Sequence, residues 1–222
     1  RGHWDTLEWF SNKKIDFENY FLLGDYTQCH SLLNEIKDKI GVSLWYYEAK
    51  SLLFEYEGKS KDGLTYISEI LHECSNNNNY LLSLLYNLYE RCHKRVSPFK
   101  YDEDLNALYK RNRTELHEDY YQYVLYRLNY YNQYQNTDLS LPIMFESLSA
   151  LVDRYLMVVS IIKSALIQIP DDTIIRSKGC YLYGKTKDRA LISVMALGNR
   201  KIDNYVNESI IRMLDSYYSG NY

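Results

Sequence analysis

Residues 17–36, FENYFLLGDYTQCHSLLNEI, and residues 43–71, SLWYYEAKSLLFEYEGKSKDGLTYISEIL, decide how this chain folds. Each divides at a glycine. Phe17–Leu23 and Asp25–Ile36 carry apolar residues at helical spacing on either side of Gly24, and Ser43–Glu57 and Ser60–Leu71 do the same around Gly58. A glycine at such a point lets the chain leave a helix through positive φ, which side chains with a Cβ resist. Each stretch therefore reads as a helical hairpin. One hairpin cannot bury both its faces, and the two glycines are 34 residues apart, so the pair implies a stack of equivalent units.

Within the first hairpin, Tyr20 and Phe21 form an aromatic pair, Gly24, Asp25 and Tyr26 form the turn, and Cys29 is a small residue that lets the second helix lie close. In the second, Ser43 reads as an N-cap after Gly41, and Leu44, Tyr47, Ser51 and Phe54 give a buried stripe. Gly63 takes the small position there, with Leu64, Ile67, Ile70 and Leu71 as the buried face. On these residues the segment 17–71 resembles a pair of tetratricopeptide repeats. Lys13, where that family usually has a large aromatic, and Ile36, where it usually has Ala, depart from the pattern, so the repeats are degenerate. The resemblance implies an all-α fold, a right-handed α-solenoid of about five helical hairpins. It also implies a protein-interaction scaffold rather than an enzyme.

The rest of the chain continues the helical pattern. Arg1–Lys14, with Trp4, Leu7, Trp9 and Phe10, reads as a short helix whose apolar side chains need cover. Asn76–Asn79 is a polar loop, Tyr80–Lys94 a helix, and Asp102–Arg111 its partner after Ser97-Pro98, with Cys92 where the repeat wants glycine. Glu115–Gln135 is a tyrosine-striped helix, and Ser140-Leu141-Pro142 opens an apolar helix running to about Ile169. Thr173–Lys187 stays open between a loop, a short hairpin and a bent helix, and Asp188–Leu197 and Ile202–Tyr218 read as further helices. The expected division is a hairpin array over 1–138 and a helical part over 139–222 packed on the same solenoid.

Composition bounds the function. A net charge of −3, with 26 basic and 29 acidic residues spread along the chain, gives no large footprint for nucleic acid or anionic membrane. The basic clusters His93-Lys94-Arg95 and Lys110-Arg111-Asn112-Arg113 read as solvated helix C-termini. Cys29, Cys74, Cys92 and Cys180 are irregularly spaced, which argues against a disulfide framework or a zinc site. The run Tyr155–Ile162 is too short to span a bilayer and no leader is recognisable, so the cytoplasm is the expected compartment. The chain opens on Arg1 rather than Met, which suggests a trimmed sensor or adaptor segment of a larger bacterial-type protein.

No phosphate-cradling loop, dinucleotide fingerprint, zinc-protease or nucleophile-elbow motif is present, so no cofactor is expected. Glu69-Ile-Leu-His72 and Glu90-Arg-Cys-His93 share the Glu-x-x-His spacing of carboxylate-bridged di-metal bundles. They sit on consecutive helices, where such a bundle has another helix between, and ordinary surface Glu and His account for them. Helical stacks hold peptides on the concave side, and Tyr46, Lys50, Asn87 and Arg91 lie off the core stripes as a ring, cation and amide suited to that task. The expected partner is a protein or peptide, with nucleic acid and membrane disfavoured and a homodimer left open. The alternative is a peptide- or nucleic-acid-responsive regulator whose effector domain lies outside this chain. A di-metal oxidase is the weaker third reading.

Overall fold

In a computed structural model the chain is described over residues 2–74, 79–93, 150–169 and 172–192, with a few positions between 96 and 107. The described residues form seven α-helices and one 3-10 turn, with no strand among them. The helices are α1 (Gly2–Leu22), α2 (Tyr26–Ile40), α3 (Leu44–Tyr56), α4 (Ser60–Cys74), α5 (Asn79–Cys92), α6 (Leu151–Gln168) and α7 (Thr173–Thr186). Arg189–Leu191 is the 3-10 turn. The expected helices Glu115–Gln135 and Ile202–Tyr218, most of Asp102–Arg111, the helix start at 140–142 and the boundary at 138 lie outside the described residues.

The two glycine turns repeat one another bond for bond. Gly24 (φ 74°) donates to Phe21 O and Asp25 N donates to Tyr20 O; Gly58 (φ 75°) donates to Glu55 O and Lys59 N donates to Phe54 O. Both are Schellman ends, in which the residue after the left-handed glycine closes a bond back over the last turn. The helices that follow begin on local chemistry too. Asp25 Oδ1 accepts from Gln28 N at 3.2 Å, and Ser43 Oγ accepts from Tyr46 N at 3.1 Å. Gly63 packs where expected: a Cβ there would lie 3.1 Å from Phe54 Cβ and 3.5 Å from the Tyr89 ring.

One boundary differs. The expected short helix over 1–14 and the first arm of the hairpin are a single helix, α1, because nothing between Lys14 and Phe17 breaks it. Leu7, Phe10, Phe17 and Phe21 form one buried stripe along its length. Leu64 is also corrected: it is exposed on α4, whose buried face is Gly63, Ile67 and Ile70.

Consecutive helices pack in order, α1 on α2, α2 on α3, α3 on α4 and α4 on α5, and α3 also lies directly against α5. The C-terminal helices then return to the start. The pair α6–α7 packs together, α7 lies along α1, and α6 touches both α1 and α3. One side of α6, Met157 and Ile161, joins Leu44, Ile67, Leu85, Leu88 and Tyr89; the other, Val152, Tyr155, Val159, Ile162 and Leu166, joins Leu7, Phe10 and Ile36. A helix apolar on both sides is a core helix. Fully burying each such side chain contributes about 1.5–3 kcal/mol, which makes α6 the axis on which the described helices close. A strictly nearest-neighbour stack has no such return.

Candidate functional site

Of the four side chains expected to form a concave binding patch, Tyr46 and Asn87 are buried and Lys50 and Arg91 are half-buried. Tyr46 is 2% exposed, packed among Phe17, Phe21, Leu33 and Leu53, so its placement off the core stripe is corrected. Burial, with Asp38 adding to it, raises the Tyr46 hydroxyl pKa. Asn87 is likewise buried, on α5. The physical reason is that α3 is enclosed by α2, α4, α5 and α6, so its buried arc is wider than a single stripe.

The two cations are engaged within the fold. Arg91 ion-pairs with Glu48 across α5 and α3. The ammonium of Lys50 sits 4.3 Å from the Tyr66 ring centroid and 5.8 Å from that of Tyr46. Burial, and then repulsion from Lys37, lowers the Lys50 pKa, while the ring faces favour its charged form. Arg91 with Glu48 ties α5 to α3, and Lys50 with Tyr66 ties α3 to α4.

The Glu-x-x-His residues also separate. Glu69 and His72 are exposed on α4, and His93, just past the end of α5, lies with Nε2 3.7 Å from Glu55 Oε1. No group of three or more His, Cys, Asp or Glu among the described residues could hold a metal ion. Two of the cysteines are protected thiols: burial pushes both Cys29 and Cys92 up to about 11, far from thiolate chemistry at neutral pH, whereas Cys180 is exposed on α7.

What the sequence did not show is a set of buried polar groups at the helix junctions. Asp153, 1% exposed on α6, accepts from Leu44 N at 2.8 Å and Trp45 N at 3.0 Å, capping α3 from 109 residues away. Tyr155 OH bonds Thr186 Oγ1 at 2.8 Å and donates to Asp188 Oδ2 at 3.0 Å, joining α6 to the end of α7. Asp188 also accepts from Ala190 N, starting the 3-10 turn. Burial and then Asp188 raise the Tyr155 pKa.

Nearby on α1, Lys14 pairs with Glu18 at 2.6 Å. Burial alone would lower the Lys14 pKa, but Glu18 and Asp188 outweigh it and hold it above the usual value. At the α3–α5 junction, Glu55 Oε1 and Tyr89 OH are buried without a hydrogen bond, and burial, with Glu55 adding to it, pushes the Tyr89 pKa up to about 12. Apart from Lys14 and Glu18, an i,i+4 pair on α1, no sequence motif marks these contacts, because their partners lie far apart in the chain.

Among the exposed large apolar side chains of the described residues, two groups stand near aromatic contacts. Leu22, Leu23 and Tyr56 surround the first hairpin turns, Tyr56 edge-on to Phe21 at 4.9 Å. Ile174 and Tyr181 stand out from α7, with the Tyr181 ring edge-on to Trp4 at 6.0 Å. No helix among the described residues is long and apolar enough to cross a membrane. No protein-family model, no curated protein and no solved structure matches this chain.

Proposed function

We propose that the chain is a non-catalytic protein-interaction module, a scaffold or the adaptor part of a sensor, built on degenerate tetratricopeptide-like hairpins. The observation that carries this reading is the pair of Schellman turns repeated with a 34-residue offset, together with the close Gly63 approach that follows the second. Hairpins so repeated stack into extended surfaces, and such surfaces serve recognition. In this reading residues 1–138 form the array and residues 139–222 pack against it. The packing of α6 on α1 and α3 supports that arrangement. The partner is a protein or peptide, and the compartment is the cytoplasm. The binding face lies on the outward sides of the helices, since Tyr46 and Asn87 are buried and Lys50 and Arg91 are engaged by Tyr66 and Glu48.

Affinity capture with cross-linking from the cells that make the protein, followed by native mass spectrometry without chelator, tests this. A stoichiometric protein or peptide partner is expected. Two bound iron or manganese ions, lost in Glu69→Ala or His93→Ala, would replace the module with a metalloenzyme.

A further inference from the structure

We infer that the outer face of α7 is a docking strip for an acidic amphipathic helix of a partner protein, an inference that rests on the interaction-module reading and names its partner chemistry. The inner face of α7, with Ile175, Gly179 and Thr186, is buried against α1 and α6. On a flank of the helix roughly 110° around from it, Ile174, Lys178, Tyr181 and Lys185 are all exposed. Their 4-3-4 spacing is that of the seam between paired helices, and it lines them up over about 17 Å at 1.5 Å per residue. Ile174 is 67% exposed and Tyr181 57% exposed. Trp4 meets the edge of the Tyr181 ring, and Lys185 Nζ lies 5.6 Å from its centroid, so the ring is held upright rather than folded away.

The charge of this strip is one-sided. Arg176, Lys178, Lys185, Lys187 and Arg189 fall between residues 173 and 192; the carboxylate there, Asp188, is 2% exposed and turned inward to Tyr155, and Asp172, just before the helix, is taken up by Ile174 N and Ile175 N as its N-cap. None of Lys178, Lys185, Lys187 and Arg189 makes an ion pair among the described residues, in a chain whose net charge is −3. Lys187 donates to Gly184 O and serves the end of α7, as cations near a helix C-terminus do. Lys178 lies two turns earlier, beyond that role.

Cations interleaved with apolar side chains at seam spacing suit a helix with carboxylates opposite Lys178 and Lys185 and aliphatic residues opposite Ile174 and Tyr181. A single exposed ring offers no stacking platform for successive bases. Lysines on the same stripe as the apolar residues, rather than on an opposite face, are unlike a membrane-lying helix.

The test is fluorescence anisotropy of the full chain with a fluorescein-labelled designed helix carrying Glu and Leu at those seam positions. A fifteen-nucleotide thymidine strand and phosphatidylserine vesicles serve as competing probes. Binding that weakens with salt is expected, falling about tenfold in Lys178→Glu/Lys185→Glu and in Tyr181→Ala, with no change in Lys61→Glu. A charge-swapped probe with Lys for Glu should recover on the double variant. Equal binding by wild type and double variant, no binding of the helix, or tighter binding of the strand or vesicles would overturn the assignment. Circular dichroism checks that the variants fold; if the double variant does not, Tyr181→Ala and the salt dependence decide. A natural partner held equally by wild type and the double variant would remove α7 and leave the module reading standing. No partner for either would remove the module reading itself.

Discussion

Replacing Asp153 by Ala should be the most damaging single change of a polar side chain in the described fold. The carboxylate satisfies two backbone N–H groups of the first turn of α3, which has no neighbouring residue able to take both. Hydrogen bonds from an N–H to a charged acceptor contribute about 1.5–3 kcal/mol each. The Ala variant avoids burying a carboxylate, which returns part of that sum. A net loss of roughly 3 kcal/mol follows, against about 1 kcal/mol for Ser43→Ala, which removes one ordinary N-cap bond. Urea denaturation followed by tryptophan fluorescence measures both, with Trp45 at the cap as a local reporter. At an m-value of about 2–3 kcal/mol/M for a domain of this size, the midpoint should fall by about 1 M in the Asp153 variant. Because both side chains serve one helix end, the double variant should lose less than the sum of the two. A loss below about 1 kcal/mol for Asp153→Ala would refute the reasoning, since uncapped buried N–H groups cannot cost so little.

Other expectations follow from the same geometry. Burial opposes ionisation of Glu57, but hydrogen bonds from His30 and Lys59 outweigh it, and its pKa is lowered below the usual 4.5. A depressed folded pKa contributes stability above pH 4.5 that is lost as the pH falls through the lower folded value, so acid titrations of Glu57→Gln should show a shallower decline than wild type there. Identical acid profiles would sink the pairing. Tyr89→Phe removes a buried hydroxyl without a partner and should be neutral or up to about 1 kcal/mol more stable in urea titrations; a loss would show that the hydroxyl is satisfied. Gly63→Ala sets a gain in helix propensity of about 1 kcal/mol against a Cβ placed 3.1 Å from Phe54 Cβ. Overpacking of that kind costs about 1–3 kcal/mol, so a net loss is expected and an unchanged melting temperature would count against the close packing.

The parts of this fold visible in the sequence are those set by local stereochemistry. Gly24 and Gly58 need positive φ, Ser43 sits where an N-cap belongs, and Cys29 and Gly63 fill positions where two helices approach closely. Helical spacing alone, however, cannot say how many neighbours a helix has. Tyr46 and Asn87 fall off a single stripe yet are buried because α3 and α5 are packed on more than one side. In sequence Thr173–Lys187 is open because Gly179 and Gly184 weaken helix propensity, whereas Asp172, accepting from Ile174 N and Ile175 N at 2.9 Å, starts α7 firmly. The long-range cap by Asp153 had no sequence signal, since an Asp in the first turn of α6 already has a local explanation in the helix dipole.

The separation between Asp153 and the helix it caps has a consequence for synthesis. At 5–20 residues per second, roughly 5–20 s pass between the making of Leu44 and of Asp153. During that interval the first two hairpins can form on their own turns, but the N-terminal end of α3 and the seam destined for α6 stay open to solvent or to a chaperone. The nascent chain is therefore vulnerable along the surface that becomes its interior, and the arrival of one carboxylate marks the end of that exposure.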